Sequence, residues 1–279
     1  MFIVANAAIV QHSPLMYTGL RRIMSTELET ALEAARKAAD ISRHYFKGNF
    51  TVTTKADRTP VTQADVECEQ AIRETILGAF PDHGFYGEET GKTNADASNL
   101  WLVDPIDGTK GFVRQYPFFS TQIALMREEK IVLGVSCGTM FDEIAWAERG
   151  QGAWLNEQRL TVSDISDPTY AAISTGNLKS LAVSDGWANL GKWVASADRV
   201  RGYGDFYHYH LLAAGKIEAV IESDVNILDI AALSIIVEEA GGVFTDLNGA
   251  AINLGTRSVL AANTKLHARL LGDLQGYVN

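Results

Sequence analysis

Residues 101–110 read Trp101-Leu102-Val103-Asp104-Pro105-Ile106-Asp107-Gly108-Thr109-Lys110. An apolar run of strand length leads straight into two carboxylates three positions apart. Pro105 fixes one backbone angle between them, and Gly108 permits a tight turn with close approach of a ligand to the backbone. Thr109 stands where a following helix begins, so its amide can meet an anion there. Two acids at one strand end repel each other unless a cation lies between them. The stretch therefore reads as a hard divalent metal site built from oxygen ligands, beside an anion-binding turn. Metal and anion together point to a phosphoryl group. Asp, Pro and Gly are also the commonest turn residues, so the weight falls on the acids elsewhere in the chain.

Those acids recur in similar surroundings. Glu88 and Glu89 follow Gly87 after the strand-like Phe85-Tyr86. Asp65 stands at the start of an amphipathic helix in Pro60-Val61-Thr62-Gln63-Ala64-Asp65, and Asp229 at the head of the helix that begins Ile230-Ala231-Ala232. An acid near a helix start is ordinarily explained by the helix dipole. That does not account for every one of them lying in apolar or Gly-rich sequence, where a buried carboxylate is costly unless paired or metal-bound.

Around this centre the chain alternates α and β signals. Thr26 with Glu29 is a capping-box spacing, and apolar positions from Leu28 to Phe46 follow a helical period that Gly48 closes. A second helix is expected from about Thr62 to Gly78, with Val66, Ile72, Ile76 and Leu77 on its apolar face. Strands are expected at 100–103, 121–126, 131–137 and 144–147, with a hairpin connection at Arg149-Gly150-Gln151-Gly152. The polar segment Ser163 to Pro168 marks a boundary. Beyond it strands are expected at 170–174, 217–221, 243–245 and 258–262. Helices are expected at 206–214 and 230–239 and from about Lys265, the second ended by Gly241-Gly242. Layered α and β structure follows. The expected organisation is a loosely ordered extension at 1–24, with Met24 as an alternative start, a subdomain at 25–165 and a second at 166–279.

The chain has 279 residues, 24 Lys plus Arg against 34 Asp plus Glu, and a net charge of −10. That charge argues against a sequence-independent grip on nucleic acid, which needs surplus Lys and Arg. No apolar run is long enough to cross a bilayer, and the N-terminal apolar stretch lacks the basic start of a signal peptide. Only Cys68 and Cys137 occur, which excludes a disulfide framework and a zinc site of paired CxxC motifs. Two reduced thiols in a cytoplasmic protein are expected. The three-residue spacing of Asp104 and Asp107 is not the Asp-x-Asp-Gly-Thr of haloacid-dehalogenase phosphatases. An EF-hand loop, a Gly-x-Ser-x-Gly elbow and a Walker loop are absent too.

Three separated motifs, in order, resemble the signatures of the inositol monophosphatase family. They are Gly87-Glu88-Glu89, Trp101 with Asp104-Pro105-Ile106-Asp107-Gly108-Thr109, and Asp229-Ile230-Ala231-Ala232 followed by Glu239-Ala240-Gly241-Gly242. Within the family, Arg201-Gly202-Tyr203-Gly204-Asp205-Phe206-Tyr207 and Lys110-Gly111-Phe112-Val113-Arg114 look most like the histidinol-phosphate phosphatase branch. Leu228 stands where the family usually has Trp, and Gly111 where Asn or Ser is common. The resemblance spans about residues 26–279. It implies a layered αβαβα sandwich of two subdomains, with the site between them, commonly as a homodimer.

It also implies a Mg²⁺-dependent, Li⁺-sensitive phosphomonoesterase with two or three ions per site, acting on a small-molecule phosphate monoester. Glu88, Asp104 and the Ile106 carbonyl would hold a first ion, and Asp104, Asp107 and Asp229 a second. Glu88 thus joins Asp65 and Thr109 among the catalytic residues, those two orienting and deprotonating the nucleophilic water. Gly108 and Thr109 would hold the phosphate beside Asp107 and Asp229. Glu222 would face the alcohol, with Arg201 and Asp205 as further substrate contacts. The expected reaction is hydrolysis of histidinol phosphate. The alternatives are an inositol monophosphate or another sugar or nucleotide phosphate as substrate, or a catalytically silent metal- or phosphate-binding protein.

Overall fold

The computed structural model describes residues 24–48, 51–54 and 60–274. The expected extension at 1–24 lies outside the described residues, apart from Met24. The helices are α1 (Thr26–Phe46), α2 (Gln63–Ala79), α3 (Thr109–Val113), α4 (Lys179–Ala182), α5 (Gly186–Ser196), α6 (Asp205–Ala213), α7 (Ile227–Glu239) and α8 (His267–Asp273). A short ribbon pairs β1 (Val52–Thr54) with β2 (Pro60–Thr62). The large sheet holds β3 (Gly84–Gly87), β4 (Gly91–Thr93), β5 (Asn99–Asp107), β6 (Ser120–Arg127), β7 (Lys130–Gly138), β8 (Glu143–Glu148), β9 (Ala153–Leu155) and β10 (Gln158–Arg159). Its spatial order is β10-β9-β8-β7-β6-β5-β3-β4, antiparallel except between β3 and β5. The smaller sheet holds β11 (Ala172–Thr175), β12 (Arg199–Arg201), β13 (Ala219–Ser223), β14 (Val243–Thr245) and β15 (Ser258–Ala262), ordered β12-β11-β13-β15-β14.

Five layers result, the αβαβα sandwich that the resemblance implied. α1 and α2 cover one face of the large sheet, burying Leu28, Ile72, Phe85, Trp101, Ile123 and Val135 in one core. α6 and α7 fill the space between the sheets, with Leu212, Ile230 and Ile235 meeting Leu102 and Ala124 on one side and Val220 and Val259 on the other. α4, α5 and α8 close the outer face of the smaller sheet over Leu181, Trp193, Ile221 and Leu270.

α7 shows why the middle layer sits there. Ten of its residues are buried, on every side of the helix, and a helix apolar all round must be enclosed. The large sheet admits it closely at Gly134, where a Cβ would run into the Ala232 carbonyl.

The elements depart from expectation in places. α7 begins at Ile227, three residues early, because Asn226 caps it and Asp229 closes a capping box from the third position. Val66 is 48% exposed; α2 turns Ala64, Cys68, Ile72 and Ile76 inward instead, a run at i, i+4 spacing. Tyr170 lies in a 3₁₀ turn (Pro168–Tyr170), 72% exposed, and not in a strand. α8 starts at His267, two residues after the expected Lys265. The hairpin expected at 149–152 does connect β8 to β9.

Candidate active site

β5 carries the deciding stretch and does not stop before its acids. Its pairing with β6 shifts register between Asp104, opposite Gln122, and Asp107, opposite Ser120. In an unbroken strand, residues three apart face opposite sides. Here Pro105 and Ile106 of β5 stand against Thr121 alone of β6, a bulge at Pro105, which has no ladder N–H to lose. The bulge re-phases the strand, so both acids come to one side. Gly108 then turns the chain with φ +87°, and a Cβ there would strike the Phe118 carbonyl.

α7 brings the third acid from the other half of the chain. The Asn226 N–H donates to Asp229 Oδ2 at 2.9 Å. One carboxylate oxygen from each of Asp104, Asp107 and Asp229 falls within 4.8 Å of the others. Glu88 enters from the end of β3, its N–H donating to the Val103 carbonyl at 3.2 Å, and its side chain is hydrogen-bonded to Asp104.

This crowding governs the protons. Burial, then the charges of Glu88, Asp107 and Asp229, pushes Asp104 well above the usual carboxylate range. Burial, then Asp205, Asp229 and Glu222, does the same to Asp107. Asp229 is raised to about 7, by burial first and by Glu88 and Glu222, against the lowering pull of the Asn226 N–H. Packed acids without a compensating cation take up protons. An all-oxygen set of this kind fits a hard divalent cation: Glu88, Asp104, Asp107 and Asp229, with the Ile106 carbonyl beside them on the cavity wall.

Asp65 lies behind this group and is fully buried. Its Oδ2 accepts from the Thr62 N–H at 2.7 Å and the Thr62 hydroxyl at 2.6 Å. Its Oδ1 faces the Thr109 hydroxyl at 3.4 Å, and that hydroxyl also lies 3.0 Å from the Ile106 carbonyl.

A cavity of about 540 Å³ opens over the acids, lined on the near side by Gly108, Thr109 and Lys110 and on the far side by Asn177, Asp205 and Glu222. Asp205 adopts φ +44° after Gly204, and burial with the nearby Glu222 charge raises it to about 6. Glu222 is held from behind: Oε2 accepts from the Tyr209 hydroxyl at 2.8 Å and Oε1 from the Asn177 N–H at 3.2 Å. His208 Nε2 is 3.3 Å from Oε2, fully buried. Arg201 is not brought in. It is exposed, and its Nη1 folds back onto the Val200 carbonyl at 2.7 Å.

The sequence reading passed over Glu69. It is fully buried, and its two oxygens accept the N–H groups of Glu89 and Thr90 at 2.7 and 2.8 Å. A Cβ on Gly87 would collide with that carboxylate. Glu69 thus clasps the turn that carries Glu88. Its place four residues after Asp65, on the same face of α2, was the available signal.

Comparison with known proteins converges on one group. The model of the "Inositol monophosphatase family" matches residues 24–279. A histidinol-phosphatase of Mycobacterium tuberculosis is 37% identical over 89% of this chain and 97% of its own length. An inositol-1-monophosphatase of Caulobacter vibrioides is 35% identical over 88% of this chain and 99% of its own. The crystal structure of the extragenic suppressor protein suhB from Bartonella henselae superposes with a TM-score of 0.83 at 30% identity. The match covers 91% of this chain and 100% of that one.

Proposed function

The chain belongs to the inositol monophosphatase family, a family of phosphoric monoester hydrolases, and from that membership we propose that it hydrolyses histidinol phosphate to histidinol and phosphate in a Mg²⁺-dependent reaction. The observation that carries the reading is the convergence of Asp104, Asp107 and Asp229, from both halves of the chain, onto one cavity whose far wall is itself acidic. Glu88, Asp104, the Ile106 carbonyl, Asp107 and Asp229 would hold two or three Mg²⁺ ions. Bound there, the cation supplies Lewis-acid stabilisation of charge on the phosphoryl oxygens.

The remaining steps belong to side chains and backbone. The Gly108 and Thr109 N–H groups take the phosphate. Thr109 Oγ1 gives its own proton toward Asp65 Oδ1 as it receives one from the attacking water, so Asp65 is the base of a two-link relay. Thr62 fixes Asp65 through two hydrogen bonds to Oδ2, and Oδ1 is the oxygen that faces Thr109. Asp205 and Glu222 meet the cationic end of the alcohol, since histidinol carries an amine and an imidazole that titrates near ~6.5. Arg201 drops to an outer role at most. The homodimer, the cytoplasmic setting, inhibition by Li⁺ and the division into subdomains at 165/166 belong to the same proposal.

Phosphate release from histidinol phosphate and from inositol monophosphate, side by side, with Mg²⁺ and with a chelator, tests it. The expected result is Mg²⁺-dependent release with histidinol phosphate clearly preferred. Preference for inositol phosphate would support the second reading, which the similarity to the Caulobacter vibrioides protein favours. No release from any phosphate monoester would mark a silent binding protein.

A further inference from the structure

A line of polar side chains crosses the otherwise apolar seam between the large sheet and the α6–α7 layer, and it ends on Asp107. Ser120 and Gln122, two apart on β6, share a face. Asp107 stands opposite Ser120 on β5, and Ser136 opposite Gln122 on β7. The Ser120 hydroxyl donates to Asp107 Oδ2 at 3.2 Å. Gln122 Nε2 lies 2.7 Å from Ser120 Oγ and 3.1 Å from Ser136 Oγ. Ser136 Oγ is 2.9 Å from His210 Nε2, and His210 Nδ1 is 3.1 Å from Glu143 Oε2. Ser120, Gln122 and Ser136 are fully buried, His210 is 2% exposed, and Glu143 reaches the surface side.

One proton arrangement satisfies the whole line. An ionised carboxylate, the form a cation would hold, only accepts, so the single Ser120 proton then points to Asp107, and Ser120 Oγ takes a hydrogen from Gln122. The second Nε2 hydrogen goes to Ser136, whose own proton goes to His210 Nε2. His210 then carries its hydrogen on Nδ1 and donates it to Glu143. A neutral ring is what this requires, and burial holds the His210 pKa below its ordinary value.

Within this line, Gln122 Oε1 alone has no partner, although it is buried. Rotating the amide would give that oxygen two serine hydroxyls. It would also turn the Ser120 proton away from Asp107. Both Nε2 hydrogens would come off the serine oxygens as well; the orientation seen spends both on serines and so keeps a donor on the carboxylate.

We propose that Ser120, Gln122, Ser136, His210 and Glu143 are positioning residues for Asp107, which fix Oδ2 and leave Oδ1 to the divalent cation. This rests on the assignment of Asp107 as a metal ligand made above. Groups that orient a ligating carboxylate are typically worth about 10- to 100-fold in metal affinity.

The test is Mn²⁺ binding to the metal-free full-length protein, followed by titration calorimetry and by the electron paramagnetic resonance of free Mn²⁺. Ser120→Ala is expected to raise the Mn²⁺ Kd about tenfold, Gln122→Leu several-fold, and Asp107→Asn about 100-fold or more. If Asp107→Asn weakens binding while Ser120→Ala and Gln122→Leu lower only the Tm, the line is structural and the positioning role is overturned. If Asp107→Asn itself binds Mn²⁺ like the parent, the metal assignment fails and takes this inference with it. Two readouts on the unaltered protein guard against variants that do not fold. The Gln122 side-chain amide signals are expected to shift on Mg²⁺ addition, and the ring ¹⁵N shifts of His210 to report the Nδ1–H tautomer. Silent Gln122 signals, or an Nε2–H ring, would each contradict the proposal.

Discussion

At Asp229 proton and cation compete for one carboxylate. Its carboxyl titrates near pH 7 in the fold against 3.8 for an ordinary one. Between those values the folded, metal-free protein holds a proton that the unfolded chain has released. The stability derived from that proton is complete below about pH 4 and is lost as pH rises through about 7. Metal-free protein should therefore melt at a lower temperature at pH 8 than at pH 5, and saturating Mg²⁺ should raise the Tm far more at pH 8. Equal Mg²⁺ shifts at both values, in a thermal scan, would remove the acid cluster as the cause. Asp104→Asn removes one charge of the cluster. It should cut Mg²⁺-dependent phosphate release by about 100-fold or more while the metal-free Tm holds or rises, since like charges no longer crowd the site. On the far wall, replacing both Asp205 and Glu222 by Ala should cost about tenfold or more in kcat/KM for histidinol phosphate, with a smaller effect on an uncharged alcohol phosphate. Unchanged histidinol phosphate turnover in the double variant would show that these acids do not read the substrate. What a reader of the chain can find at this scale is what lies close in sequence. Asp104, Asp107 and Gly108 announce themselves because metal, turn and phosphate chemistry are written within five residues. Glu69, Tyr209 and His208 do not, because their roles depend on which helix they meet after folding.

Two helices enter the site by one device. Thr62 caps α2 with Asp65 at the third position, and Asn226 caps α7 with Asp229 at the third position. Each acid spends one oxygen on its own helix start; Asp229 then lines the cavity, and Asp65 faces the Thr109 hydroxyl beneath it. Thr62→Ala should cost about 1 kcal/mol of stability for the lost cap. It should also lower kcat through a freed Asp65, at nearly constant KM; denaturant melts and steady-state kinetics measure both. A stability loss with kcat unchanged would separate Asp65 from the chemistry. This spacing was present in the sequence, yet only the head of the apolar run at Ile230 was read as the start of α7. The cap was overlooked because Ile227 and Leu228 do not stand apart by periodicity in a helix apolar on all sides. The bulge in β5 was not legible either. The three-residue gap between Asp104 and Asp107 suggests opposite faces, and only pairing with β6 returns them to one.

At the scale of the molecule, the three central layers act together. α7 contacts both sheets, and the middle core draws on residues from 100 to 261. The two halves should therefore unfold in one cooperative transition by calorimetry, without a separate melt of the smaller sheet; two resolved peaks would argue for independent halves. The layer order was legible from alternating α and β signals and from the resemblance, whereas the short strands β4, β9, β10 and β12 were not, being too brief for a period. No helix among the described residues is long and apolar enough to cross a membrane, and both cysteines are buried thiols, Cys137 pushed up to about 12 by burial. The glycine contact between β7 and α7 sets a further limit. With the helix gripped by sheets on either side and packed backbone to backbone against one of them at Gly134, the two walls of the cleft are expected to travel as one body, so a side chain at that glycine should loosen both at once.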